Sequence, residues 1–175
     1  VGINKAIDMC EKDFKGLVIS NEADYFSAGA DLGTLFMFAG NREFKKIEES
    51  IRVFQNTMMR VRHSSVPVVV ATSGITLGGG CELSLHADTI QAHSETYMGL
   101  VELGAGLIPA GGGTKELVMR TASQYQKGDP EFNKLMESFM NIASAKVSTS
   151  AKEAVEMGYI TKKDKQTTNR KNLLK

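Results

Sequence analysis

VPVVVATSGITLGGGCELSLHAD, at residues 66–88, carries the most information about the fold of this chain of 175 residues. The run VPVVVAT at 66–72 is rich in β-branched residues, which is typical of a strand covered on both faces and therefore parallel and central in its sheet. A glycine turn follows, and then a short helix from about Gly79 to His86. The stretch predicts a strand, a turn and a helix in sequence order.

The segments on either side continue this alternation. GLVIS at 16–20 is typical of a short buried strand, and TIQAH at 89–93 of a second one. Apolar residues at helical spacing predict helices over 1–14, 42–62 and 131–145. Alternating helices and strands favour an α/β fold with a largely parallel sheet.

The later part of the chain is predicted in less detail. Residues 96–113 read as a long loop that ends in the helix KELVMR, and a capping-box sequence predicts a helix over 151–157. Residues 161–175 contain six Lys or Arg and few apolar residues, which predicts a solvated tail. The expected organisation is one domain over 1–160 followed by a basic polar tail over 161–175.

Composition excludes several classes of function. With 21 Lys and Arg against 20 Asp and Glu, the net charge of +1 gives no field that would attract nucleic acid or an anionic membrane surface. No apolar run reaches the roughly 18 residues that a membrane-inserted helix needs. Cys10 and Cys81 form no CxxC pair, which favours a reducing intracellular setting. The histidines lack metal-ligand spacing, so no metal is predicted.

Three nucleotide or nucleophile motifs are each missing residues that they require. GGGTK places Thr114 where a phosphate-binding loop needs lysine. Pro109 stands where a dinucleotide fingerprint that starts at Gly104 needs its third glycine. Ser73 lacks the flanking glycines of a nucleophile elbow.

Two glycine-rich turns with one glutamate each remain as the candidate site. Glu82 follows the three glycines at 78–80, and Glu102 precedes IPAGGG. Glycines at a helix start leave N–H groups uncovered, and a second such group is available at Ala30, so two donors could stabilise a developing enolate oxygen. Two carboxylates could then divide general-base and general-acid work. The alternative is that the glycines serve packing and the glutamates cap helices.

Four segments occur in an order that resembles the crotonase, or enoyl-CoA hydratase, superfamily. They are FSAGADL at 26–32, the 66–88 stretch, YMGLVELGAGLIPAGGGT at 97–114 and STSAKEAVEMGYI at 148–160. The form VELGAGLIPAGGGTKEL, at 101–117, looks most like the hydratase-like region of multifunctional 3-hydroxyacyl-CoA dehydrogenases of fatty-acid β-oxidation. The resemblance covers most of 16–160 and implies a crotonase-like fold of the ββα superhelix type, truncated at both termini relative to the family.

The resemblance implies an enoyl-CoA hydratase domain of fatty-acid β-oxidation. The N–H groups of Ala30 and Gly79 would hold the thioester oxygen of an acyl-CoA. Glu82 would act as the base toward a water molecule and Glu102 as the acid that protonates Cα. The product of this syn addition to a trans-2-enoyl-CoA is a 3-hydroxyacyl-CoA.

Other positions match the family with supporting roles. Asp31 and Asp88 are expected to hold loops through backbone hydrogen bonds. Acyl-CoA contacts are assigned to Ala28, Pro109, Leu32, Leu35 and Met98. For Leu32, Leu35 and Met98, core packing is the alternative.

The resemblance also implies what accompanies the chain. No prosthetic group is expected, because the coenzyme A thioester is the substrate and NAD belongs to a fused dehydrogenase domain outside this chain. The expected partners are that domain or further copies of the chain, a trimer being typical of the family, in the cytoplasm. The alternative functions are a Δ3,Δ2-enoyl-CoA isomerase, which needs one dominant base, and a non-catalytic acyl-CoA-binding or assembly domain.

Overall fold

The sheet at the centre of the protein is parallel throughout the described chain, which comprises residues 2–130 and 132–174 of a computed structural model. Its strands lie in the order β1-β2-β3-β4. They are β1 (Leu17–Ser20), β2 (Val68–Leu77), β3 (Thr89–Gly99) and β4 (Lys165–Thr167). The predicted α/β class with a parallel sheet is confirmed.

Helices connect these strands and pack against them. They are α1 (Gly2–Asp13), α2 (Leu32–Gly40), α3 (Phe44–Arg62), α4 (Gly79–His86), α5 (Gly113–Ala122), α6 (Asn133–Ala143) and α7 (Ala151–Glu156), with short 3₁₀ turns at Glu102–Ala105 and Arg170–Asn172. The helices predicted from periodicity and capping are confirmed within one or two residues at their ends. Val1, Glu131 and Lys175, which the predictions for 1–14, 131–145 and 161–175 include, lie outside the described residues.

Two strands are longer than predicted, because β2 and β3 continue pairing beyond a local irregularity. The register between them shifts between Thr72 and Gly74, after which Gly74 pairs with Thr96 and Leu77 with Gly99. Gly74 has φ +63°, and a Cβ there would lie 2.3 Å from the backbone oxygen of Asp24. The glycine therefore permits a close backbone approach within the strand. The prediction of a loop from residue 96 is wrong for residues 96–99.

The prediction that GLVIS is buried is wrong on one face. Leu17 and Ile19 pack against the core, whereas Val18 is 57% exposed. In the described chain β1 pairs only with β2, so it lies at an edge of the sheet. Its alternating exposure is what an edge strand with one covered face shows.

Residues 161–174 are not simply a solvated tail. β4 adds a parallel strand beside β3, with Gln91 opposite Lys165. Asp164 accepts a hydrogen bond from the N–H of Ile90 at 2.7 Å, and Leu173 is buried. These contacts correct the expectation of solvation, while the domain boundary at residue 160 stays a prediction.

Helix α4 lies between two apolar clusters and positions the site. One cluster joins α1, α3 and β2 and receives Leu83 from α4. The other joins β3, α5 and α7 and receives Cys81 and Leu85. Residues 80–86 are consequently all buried. A carboxylate on this helix must lie in a poorly hydrated environment, where its charged form is disfavoured.

Asp164 is expected to contribute measurably to stability, because it joins β3 to the segment that follows α7. Its Oδ1 accepts from Ile90 and its Oδ2 from the N–H and hydroxyl of Thr161. Asp164→Ala leaves the buried N–H of Ile90 without its acceptor and should lower the free energy of unfolding by about 1–3 kcal/mol. Urea denaturation measures this, with Asp13→Ala on the exposed end of α1 as the control. Equal stability of both variants would contradict the expectation.

Candidate active site

Glu82 projects from the first turn of α4 into a buried position. Gly78, with φ +50°, precedes the helix and turns the chain out of β2. The side chain of Glu82 is only 2% exposed, and its Oε1 accepts a hydrogen bond from the N–H of Gly113 at 2.9 Å. The second glycine-rich turn, at 111–113, is therefore held against the glutamate of the first.

The proton affinity of Glu82 reflects opposing effects. Burial is the main cause that raises its pKa to about 7, and the nearby Glu102 raises it further, while the backbone N–H groups of residues 111–113 lower it. A carboxylate with a pKa near neutrality can both accept and release a proton under ordinary conditions. This is the property that a general base requires.

Glycine is required in the 111–113 turn because the backbone approaches Glu82 closely. A Cβ on Gly111 would lie 2.5 Å from Glu82 Oε2 and 2.3 Å from Cε1 of Phe54. A Cβ on Gly113 would lie 3.0 Å from Glu82 Cγ and 2.9 Å from Leu100. Any larger residue would displace the carboxylate or its neighbours.

Glu102 opens the 3₁₀ turn that follows β3, and its carboxylate faces the first glycine turn. Its Oε1 lies 3.4 Å from the point that a Cβ on Gly78 would occupy. Its Oε2 is buried and has no hydrogen-bond partner within the described chain. Burial raises the pKa of Glu102 above the ordinary value. A carboxyl group of this kind is suited to hold a proton and to bind a further polar group.

The loop at 27–30 lies beside the Gly78 turn. Ser27 pairs with β2, donating to Ile75 and accepting from Leu77. A Cβ on Gly29 would lie 3.6 Å from the backbone oxygen of Leu77 and 3.9 Å from Gly78 Cα. The backbone N–H groups of this loop and of the α4 start are thus brought to the same end of β2.

Several backbone N–H groups in this region have no acceptor among residues 2–130 and 132–174, and those of Ala28, Ala30 and Gly79 are among them. The predicted donors Ala30 and Gly79 therefore stay available, and the structure adds Ala28 as a second candidate within the loop. The sequence signal was the same FSAGAD segment, which does not distinguish the two alanines.

Phe54 and Gln55 of α3 also reach the site, and motif reasoning missed both. A Cβ on Gly79 would lie 3.0 Å from Cζ of Phe54, so the ring covers this glycine as well as Gly111. Gln55 donates to the backbone oxygen of Ala110 at 2.7 Å. The helical spacing of apolar residues over 42–62 includes Phe54 but gives no sign of this contact. Its ring removes water from the neighbourhood of Glu82, which is consistent with the raised pKa.

The predicted acyl-contact residues have different environments. Met98 is fully buried in the core cluster with Leu85 and Leu117. Leu32, at the start of α2, is 38% exposed. Pro109 is buried next to the 111–113 turn, Ala28 is exposed and Leu35 is half-buried. The roles of all five toward a substrate stay predictions.

The two aspartates have the loop-holding contacts that were predicted. Asp31 begins α2 and accepts from the N–H of Thr34 at 3.2 Å. Asp88 accepts from the N–H of Val68 at 2.9 Å and so joins the end of α4 to the start of β2. Neither carboxylate is placed for chemistry at Glu82 by these contacts.

Two surface grooves lie along α3. One, of about 490 Å³, lies between α3 and Phe38 of α2, and the other, of about 770 Å³, extends to Gln55. Neither is lined by Glu82 or Glu102.

The described residues contain no group of three or more His, Cys, Asp or Glu side chains that could hold a metal ion. A search of the same residues finds no helix whose length and apolar character would allow it to cross a membrane.

The fold and the site together are typical of the crotonase class of α/β proteins. They combine a parallel sheet, a buried helix after a glycine turn, and two carboxylates beside unpartnered N–H groups. The family model described as enoyl-CoA hydratase/isomerase matches residues 2–168. The chain belongs to this family. The fold also matches an enoyl-CoA hydratase from Bacillus halodurans, with a TM-score of 0.81 and 18% identity over 98% of this chain and 63% of that one.

Relatives with longer chains are also similar. A Bacillus subtilis protein named "Probable 3-hydroxyacyl-CoA dehydrogenase" is 45% identical over 172 residues, which are 98% of this chain and 21% of that protein. A fatty acid oxidation complex subunit alpha of Shewanella frigidimarina is 37% identical over 110 residues, 61% of this chain and 15% of that protein. The chain thus spans about a fifth or less of these relatives.

Proposed function

We propose that the chain is an enoyl-CoA hydratase domain that adds water to trans-2-enoyl-CoA thioesters. The observation that carries the proposal is the pair of glutamates on two turns that meet at the end of β2: Glu82 is buried, Glu102 is half-buried, and both have a raised pKa. Unpartnered N–H groups lie at the same end. Family membership supports the substrate class.

In the proposed reaction the thioester oxygen accepts hydrogen bonds from the N–H of Gly79 and from one N–H of the 27–30 loop, assigned to Ala30. Glu82 takes a proton from water as the water oxygen bonds to Cβ, and the C=C electrons move to Cα and the thioester, giving an enolate. Glu102 then gives a proton to Cα. Proton exchange returns both carboxyls to their starting states. Stabilising the enolate oxygen with such donors is worth roughly 3–4 kcal/mol for each donor.

The experiment that tests the function measures loss of the conjugated thioester absorbance of crotonyl-CoA as it is hydrated. Hydration supports the proposal. If a 3-enoyl-CoA is isomerised and crotonyl-CoA is not hydrated, the isomerase alternative replaces it. Acyl-CoA binding without either reaction would assign a binding or assembly role.

The wider setting is also part of the proposal. The names of the long relatives support a role in fatty-acid β-oxidation beside a 3-hydroxyacyl-CoA dehydrogenase domain that would use NAD. Such a domain would consume the 3-hydroxyacyl-CoA product. Association into a trimer, a cytoplasmic location and the absence of a prosthetic group remain predictions from the resemblance.

The rate of hydration is expected to rise as the pH increases through neutrality. Glu82 must be ionised to accept a proton, so kcat/KM should increase as the pH rises through its pKa of about 7. Because the two carboxyls interact, the measured values belong to the pair. Initial rates with crotonyl-CoA across the neutral range check this, and a rate independent of pH there would contradict it.

The same raised pKa has the opposite effect on stability. Burial favours the protonated form of Glu82, so its contribution to the free energy of unfolding is fully present below the ordinary pKa of 4.5. This contribution is lost as the pH rises through about 7.

A further inference from the structure

A cluster of charged and titratable side chains around a buried glutamate, which the proposed reaction does not use, lies behind Glu82. It consists of Arg62, His86, Lys115 and Glu116, and is called the Glu116 cluster below. Glu116 is only 1% exposed, and its Oε2 lies 3.2 Å from Arg62 Nη1. Its Oε1 lies 3.1 Å from Lys115 Nζ and 3.6 Å from His86 Nε2, but no donor in the described chain meets it with hydrogen-bond geometry.

His86 connects this cluster to the backbone of Glu82. Its Nδ1 lies 2.7 Å from the backbone oxygen of Glu82, and a carbonyl can only accept, so the proton is on Nδ1. Nε2 then carries the lone pair and faces Lys115 Nζ at 3.4 Å. Burial lowers the pKa of His86, which agrees with a neutral ring.

The cluster also contacts the turn that binds the carboxylate of Glu82. A Cβ on Gly112 would lie 3.1 Å from His86 Nε2, and the N–H of Glu116 donates to the backbone oxygen of Gly112 at 3.0 Å. The next residue, Gly113, donates to Glu82 Oε1. The cluster is thus connected to Glu82 by two routes. One is α4, which carries both His86 and Glu82, and the other is the 111–113 turn, in which Gly113 donates to the Glu82 carboxylate.

We propose that Glu116 and His86 are positioning residues, which hold the 111–113 turn so that the N–H of Gly113 stays bonded to the carboxylate of Glu82. This inference rests on the proposed function of Glu82. A buried charged group is an inefficient way to gain stability, since apolar residues of similar volume often serve as well. The cluster, however, joins α3, α4 and α5 at the one place where the turn must keep a fixed distance from the glutamate.

The charged and titratable groups around Glu82 and the Glu116 cluster come from several elements. They are Cys81 and His86 on α4, Glu102 on the 3₁₀ turn, Arg62 on α3, and Lys115 and Glu116 on α5. Loss of the Gly113 hydrogen bond would remove an interaction that favours ionised Glu82. The pKa of Glu82 would therefore move upward, away from the value that burial and Glu102 set together.

The test compares Glu116→Gln with Glu11→Gln, a control that breaks an ion pair with Arg60 between α1 and α3, away from the site. The expected result for Glu116→Gln is an upward shift of about 1 unit in the acid limb of kcat/KM for crotonyl-CoA, with little change in KM. Glu116→Asp, which keeps the charge, should recover part of the shift. The control should lose stability without moving the limb.

An acid limb unchanged in a folded Glu116→Gln protein would overturn the proposal and assign the cluster to stability alone. If that variant does not fold, Lys115→Met is measured instead, because the Lys115 side chain is 43% exposed. An unchanged acid limb of kcat/KM in Lys115→Met would likewise overturn the proposal. A carbon NMR titration of Glu82, assigned by the signal missing in Glu82→Gln, gives the same shift without turnover. An inactive wild-type protein would thus refute the proposed function, whereas an unshifted NMR titration would refute the positioning role.

Discussion

Glu82→Gln should lower kcat for crotonyl-CoA hydration by about 10²–10⁴-fold, which is the usual contribution of a general acid or base. Glutamine retains the shape of the side chain and a carbonyl oxygen that can accept from Gly113, but it cannot take a proton from water. The neutral amide places no unpaired charge in this buried position, so the substitution should not lower the free energy of unfolding for that reason. The rate of absorbance loss at saturating substrate measures the effect.

Glu102→Gln provides the comparison that separates the two reactions. A hydratase needs both carboxyls, so this variant should lose hydration by a similar factor, whereas an isomerase with one dominant base would keep most of its activity. Glu153→Gln, at the start of α7, is the matched control and should hydrate crotonyl-CoA like the wild type. Full hydration by either Glu82→Gln or Glu102→Gln would contradict the proposed division of acid and base work.

The sequence predicted the part of the fold that depends on local signals. The helix at Gly79–His86 and the α7 cap at Ser150 follow from residues that are neighbours in sequence, and both are confirmed. The end of β2 was missed because pairing continues past Gly74, whose conformation depends on the distant backbone of Asp24. Likewise, β4 forms on polar residues because β3 offers a free edge.

The site shows the same division between local and distant information. Glu82 and Glu102 could be chosen because each follows or precedes a run of glycines. The positions of Phe54 and Glu116 could not be predicted, since their contacts with the 111–113 turn and with His86 depend on how three helices pack. Met98 was offered two roles because an apolar residue at the end of a strand has no local feature that separates core from substrate contact.

Gly111→Ala should be nearly as damaging as loss of the glutamate itself. The new Cβ would meet Phe54 at 2.3 Å and Glu82 Oε2 at 2.5 Å, so the ring or the carboxylate must move. Displacing a catalytic group by about 1 Å can cost about 10²-fold in rate. Overpacking should also lower the free energy of unfolding by about 1–3 kcal/mol. Crotonyl-CoA kinetics and urea denaturation of the same preparation measure both effects.

Two further variants identify the cause of that loss. Gly104→Ala lies in the same glycine-rich segment, but its Cβ would meet only Ala145 at an ordinary 3.6 Å, so activity should be preserved. Adding Phe54→Ala to Gly111→Ala removes the contact with the ring while leaving the contact with Glu82. The double variant should therefore lose the clash with the ring without regaining activity, because the contact with Glu82 remains. Restored activity would instead show that the ring, and not the carboxylate, is what the glycine at 111 accommodates.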